Sequence, residues 1–214
     1  KGEFILKGKN LKKKIAYILT LVLLFTSVYV GNFSYTHALE DITNWGLDYS
    51  SGKPNQDKIY KAGNGSITYK ADTNTLILDG ATINTTTGTA LNFGDNYNEI
   101  NIVTKGKNEI ISQKGHAIQG FNICIKGESG SELNLISNDA DDNEAYTVKC
   151  HSLDILDKSN VFVTKSGADK NNIAIYTAGL ELKDSAKLTA KEGGIAIHQT
   201  FKLEDGTELN AKIV

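Results

Sequence analysis

Leu76-Ile77-Leu78, Ile100-Asn101-Ile102, Ile123-Cys124-Ile125, Leu153-Asp154-Ile155 and Leu180-Glu181-Leu182 repeat one apolar-x-apolar couplet at intervals of 23 to 30 residues. A weaker echo follows at Leu203. A recurrence of this length is the mark of a solenoid, in which one repeat cannot bury its own apolar face and neighbours must stack.

Each couplet opens a unit with the same internal order. After a polar turn comes a second alternating segment: Ile110 with its neighbours, Leu133-x-Leu135, Val161-x-Val163 and Leu188-x-Ala190. A third follows another turn: Ala117-Ile118, Tyr146-x-Val148, Ile173-x-Ile175 and Ile195-x-Ile197. Short alternating runs of Ile, Leu and Val, bounded by Gly, Asn, Asp and Ser, read as strands. Three strands per unit predict an all-β fold, a right-handed parallel β-helix of about five to six coils. A β-sandwich is the rival. It would show similar strands without recurrence of the whole three-strand unit. No stretch after Ala38 sustains helical spacing, and Gly or Asn interrupts every few residues.

Stacking is obligatory on energetic grounds. The few aliphatic side chains that one coil turns inward contribute roughly 1.5–3 kcal/mol each. They cannot repay ordering of the whole coil at about 1–2 kcal/mol per residue. Parallel hydrogen bonding to the coils on either side must supply the rest. Open ends then need caps. Asn64 to Tyr69 and Thr75 to Asp79 read as two strands around the turn Ala71–Asn74, and Asp41 to Ala62 as irregular chain packed over the first coil. The expected organisation is residues 1–38 as an N-terminal extension and signal peptide, 39–75 as the cap region, and 76–214 as the β-helix.

The signal segment is legible in its parts. Lys12, Lys13 and Lys14 form a charged start, Ile15 to Val30 is nearly unbroken apolar chain, and Thr36-His37-Ala38 offers small residues for cleavage. The apolar run falls short of the ~20 residues of a spanning helix. Export with cleavage after Ala38 is therefore expected over the alternative of a retained anchor, with no membrane contact after cleavage. Beyond Ala38, 17 lysines against 24 acidic residues leave a net charge of −7. There is no basic stripe to neutralise phosphates, which argues against nucleic acid. Arginine is absent, while Lys, Asn and Ile are abundant. That bias fits an AT-rich genome and, with export, a secreted or cell-surface protein of a Gram-positive bacterium.

Two cysteines stand in this disulfide-permissive setting. Alternation points Cys124 away from Ile123 and Ile125, whereas Cys150 shares parity with the inward Val148. Opposite facing predicts two separate thiols rather than a bond.

The run Gly65-Ser-Ile-Thr-Tyr-Lys-Ala-Asp-Thr-Asn-Thr-Leu-Ile-Leu-Asp-Gly-Ala-Thr-Ile83, followed by Ile100-Asn-Ile and Gly106-Lys-Asn-Glu-Ile110, resembles the opening of secreted Firmicute β-helix proteins. These are carbohydrate-binding domains related to the pectate-lyase-like superfamily. The likeness covers about residues 64–200 and offers no short motif to carry over residue by residue. It implies binding of a plant-type or cell-wall polysaccharide, in some members with calcium.

The residues argue against catalysis. One large group of lyases resembling this superfamily uses an arginine base, and this chain has none. A lysine base beside calcium keeps a polysaccharide lyase as an alternative. Gly115-His116-Ala117 precedes Asp141-Asp142, an order and spacing unlike those of polygalacturonase-type hydrolases. Nothing in the spacing sets a second carboxylate about 5–9.5 Å across a scissile bond. A protein-binding surface adhesin is the third reading.

For ligands, the aromatic candidates are Trp45, Tyr49, Tyr97 and Tyr176, whose rings could stack on sugar faces; Trp45 and Tyr49 also suit packing of the cap. Phe121, His151 and Phe201 each sit two residues before a couplet member and are expected to stack on one another at a coil corner. His116 and His198 read as isolated surface imidazoles. The stretch Asp139-Ala-Asp-Asp-Asn-Glu144 supplies carboxylates from Asp139, Asp141, Asp142 and Glu144. Such hard oxygens suit calcium, although Glu144 and Cys150 break the EF-hand pattern. The competing reading is a solvated acidic loop.

Overall fold

The computed structural model describes residues 38–95, 99–139, 146–166 and 172–214. The signal segment, Tyr97, Asp141, Asp142 and Glu144 lie outside the described residues. The described residues from Glu40 onward form one compact unit of strands and turns. It is a parallel β-helix of about four turns; the five to six coils expected from the couplets include partial turns at the ends.

The couplets build the first face. Ile100, Ile123, Leu153 and Leu180 lie in one column, and Ile102, Ile125, Ile155 and Leu182 in the next. Two expectations need correction here. Leu76 pairs with Ile102 rather than Ile100, so the first couplet is displaced by two residues. Strand side chains alternate with period 2, so a shift of two preserves the buried face, and Leu76 and Leu78 remain fully buried. Phe201 does not join Phe121 and His151 at the corner; it pairs with Leu180, as Leu203 pairs with Leu182. The shorter last coil makes Phe201-x-Leu203 the true sixth couplet.

The second face stacks Ile83, Ile110, Leu135 and Val163 in one column, and Asn108, Leu133, Val161 and Leu188 beside it. The third stacks Leu47, Leu91, Ile118, Val148, Ile175 and Ile195. These inward columns form one continuous apolar core.

Several buried positions are polar, and one of them, an amide, stands in line with an apolar column. Asn108 is 1% exposed. Its Oδ1 accepts from the Ala81 amide at 2.9 Å, and its Nδ2 donates to the carbonyls of Lys105 and Glu132 at 3.0 and 3.4 Å. A single amide thus ties three successive coils where the chain turns between faces.

The N-terminal cap is more regular than expected from its sequence. Lys58–Ala62, Gly65–Lys70 and Thr75–Asp79 form an antiparallel meander, so the first rung of the solenoid is also its cap. Within the supposedly irregular Asp41–Ala62, Leu47–Asp48 forms the first rung of the third face. Gly46 makes this approach possible: at φ +71°, a Cβ there would lie 2.1 Å from the Ala90 carbonyl oxygen. Composition hid these strands because each is short and flanked by turn residues.

Both cysteines are buried free thiols. Cys124 stands in an outward ladder with Asn101 and Asp154, and Cys150 belongs to the core with its Sγ 3.6 Å from the Thr177 hydroxyl.

Candidate functional site

The third face carries the chemistry that the core does not absorb. His116 stands two residues before the inward Ile118, and Tyr146 two residues before Val148. Their rings stack in parallel, 6.1 Å apart at 4°, and His116 Nδ1 donates to the Tyr146 carbonyl at 2.7 Å. Tyr146 stacks in turn on Tyr176 at 4.7 Å and 18°. Tyr176 meets His198 at 4.6 Å and 56°. His116 and Tyr146 hold equivalent positions on neighbouring rungs, whereas Tyr176 pairs with Lys149 and its ring reaches back onto Tyr146. Exposure grows along this ladder, from the buried His116 to the exposed His198.

A second column flanks the first at the corner leading to the couplets. The Phe121 and His151 rings stack at 4.6 Å and 12°, which bears out the expected corner stacking for this pair. On the next rung the Ala178 amide donates to the His151 carbonyl at 2.9 Å. The column therefore passes from two rings to a methyl group. Between these columns lies an open groove of about 420 Å³, lined among others by Gln119, Lys149, His151, Tyr176, Ala178 and His198. Asp95 and Gln199 complete its polar rim. Its volume falls within the roughly 300–1,000 Å³ range of small-ligand sites.

The three described aromatic candidates separate in the fold. Tyr176 lies in the groove, with ring neighbours on both faces, so it offers an edge and a hydroxyl to solvent rather than an open face. Tyr49 is buried in the cap, its hydroxyl 2.9 Å from that of Tyr60 and its ring edge-on to Tyr69 at 5.2 Å. It serves packing and presents no face to a ligand. Trp45 is the reverse, 76% exposed, rather than packing the cap. It lies in the turn that leads through the left-handed Gly46 to Leu47, at the N-terminal end of the third face. Tyr97 is outside the described residues.

Of the proposed calcium ligands, only Asp139 is described. Its Oδ2 accepts from the Gly115 amide at 2.8 Å, and its main-chain carbonyl accepts from the Lys165 ammonium. These contacts tie the base of the acidic stretch to neighbouring coils. Among the described residues no three His, Cys, Asp or Glu side chains gather as a metal site would require, and no helix is long and apolar enough to cross a membrane.

Sequence reading missed the groove because its parts were assigned singly. The available signal was positional: His116, Tyr146, Tyr176 and His198 flank the third strand of four successive coils. Nothing in sequence marked Ala178 as the floor. No family model matches the chain, and no curated protein or solved structure matches it.

Proposed function

We propose that the protein is an exported, non-catalytic polysaccharide-binding module whose ligand lies along the third-face edge. The observation that carries this reading is the groove itself, where Tyr176, His151 and His198 meet a rim of Gln119, Lys149, Asp95 and Gln199. Sugars combine apolar C–H faces with hydroxyl edges, and aromatic rings beside amides and charges answer both. Five rungs separate Leu47 from Ile195 in their column. At about 4.8 Å per rung the third face runs roughly 24 Å from Leu47 to Ile195, a length suited to an extended polymer. The likeness of residues 64–200 to secreted β-helix carbohydrate-binding domains supports the same conclusion.

Affinity electrophoresis against a panel of neutral and acidic polysaccharides, with and without EDTA, tests it. At least one polymer should retard the protein. Trp45→Ala and Tyr176→Phe should each weaken retardation, the second by about 2–12-fold for loss of one hydroxyl hydrogen bond. Retardation by no polymer, or retardation indifferent to both substitutions, defeats the reading. Sensitivity to EDTA assigns a calcium contribution to the Asp139–Glu144 stretch. Release of unsaturated uronide product would replace binding with lyase chemistry, with Lys149 as the base to examine.

A further inference from the structure

The two aromatic columns differ in one respect that bears on how a ligand ring would sit. In the ladder, each face of Tyr176 already meets another ring, Tyr146 on one side and His198 on the other. In the corner column, His151 meets Phe121 on one face, and among the described residues no ring covers the other. The rung that would supply one carries Ala178, whose amide is fixed to the His151 carbonyl at 2.9 Å. The methyl group leaves this rung open beside Tyr176, between the His151 face and the following rung of His198 and Gln199, with Gln119 and Lys149 at the rim.

We infer that this gap is a slot for a single neutral pyranose ring, which enters as an additional rung stacked on His151, with Ala178 as the specificity-determining residue. The inference rests on the polysaccharide reading and specifies its site. Stacking on the imidazole uses the C–H face of the sugar. The rim then addresses the hydroxyls. Gln119 and Gln199 each offer a donor and an acceptor, Lys149 donates, and Asp95 accepts. Among the described residues neither Lys149 nor Asp95 is held in an ion pair, and the Tyr176 hydroxyl also has no partner among them. One cation balanced by one anion, with two amides and a phenol, matches a ring of neutral hydroxyls better than a carboxylated sugar. It also places polar groups around the edge, where a purely aromatic ligand would leave them unpaired.

Titration of the full chain beyond Ala38 with methyl gluco-, galacto- and mannopyranosides, methyl galacturonide and phenol, followed by imidazole NMR signals, tests the slot. One neutral pyranoside should shift the His151 ring signals saturably. Ala178→Phe should lower that affinity by at least about tenfold while keeping the melting temperature of the parent or raising it, because the new ring continues the Phe121–His151 stack. His151→Ala should lose the same binding and provides the control if Ala178→Phe does not fold. Two results overturn the slot while leaving the polysaccharide reading intact: saccharides that shift Trp45 or Tyr176 signals but not those of His151, or Ala178→Phe binding like the parent. Tighter binding of galacturonide or phenol overturns the ligand class. No response of any ring to any saccharide or polymer sinks both readings together.

Discussion

Replacing Asn108 by leucine would extend the apolar column of Leu133, Val161 and Leu188 by one coil, and by the logic of a greasy solenoid it should stabilise. The structure predicts the opposite. Asn108 makes three hydrogen bonds, to Ala81, Lys105 and Glu132, and both it and Ala81 are essentially closed to water. Leucine leaves the Ala81 amide without an acceptor, which costs about 1–3 kcal/mol. The two carbonyls lose donors worth about 0.5–1.5 kcal/mol each. The added apolar burial returns about 1.5–3 kcal/mol. The balance is a net loss of about 2 kcal/mol. With a urea m-value of about 1–3 kcal/mol/M, the midpoint falls by roughly 1 M. Urea unfolding followed by far-ultraviolet circular dichroism measures this, and an unchanged m-value confirms that the same surface unfolds. Asn108→Asp should be worse at neutral pH, since it buries a charge against two carbonyls, and should recover as acid neutralises it. A leucine variant with a midpoint equal to or above the parent refutes the reasoning. The column, not the amide, would then govern this corner.

Two further outcomes follow from the same packing. Gly88→Ala meets no atom within 4 Å at φ +69° and should lose only the left-handed backbone penalty, about 1–2 kcal/mol. Gly46→Ala drives a Cβ to 2.1 Å from a main-chain oxygen and should cost about 4 kcal/mol or more; equal melting temperatures for the two variants would contradict the close approach of the cap to the first coil. Burial pushes the Cys124 thiol up to about 11 and the Cys150 thiol up to about 12, so both should resist disulfide-exchange reagents in the folded protein near neutral pH. Unfolded thiols ionise near about 8.5. Above that pH the unfolded chain has shed protons the folded chain keeps, so this contribution to stability is intact below about 8.5 and is lost as pH rises toward the folded values. A Cys124→Ala, Cys150→Ala double variant should show a shallower alkaline decline than the parent; an identical slope would contradict the burial of these groups.

Sequence alone determined the winding of this chain. The couplets from Ile100 to Leu182, the alternation within the second strands and the placement of Ile118, Val148 and Ile175 specify three buried faces, because a strand has only two faces and an isolated coil cannot shelter either. Parity likewise assigned Cys124 and Cys150 to opposite sides. Register along the axis was not legible. Leu76 stands against Ile102 and Phe201 against Leu180, since a shift of two residues leaves every side chain on its proper face and alternation cannot detect it. The strands at Leu47 and Lys58 escaped for a different reason: they owe their form to neighbours, not to their own composition. The groove belongs wholly to tertiary structure. Tyr176, His151 and Ala178 are each unremarkable in their own segment, and only the stacking of coils a few ångströms apart turns two rings and a missing third into a place where another ring can fit.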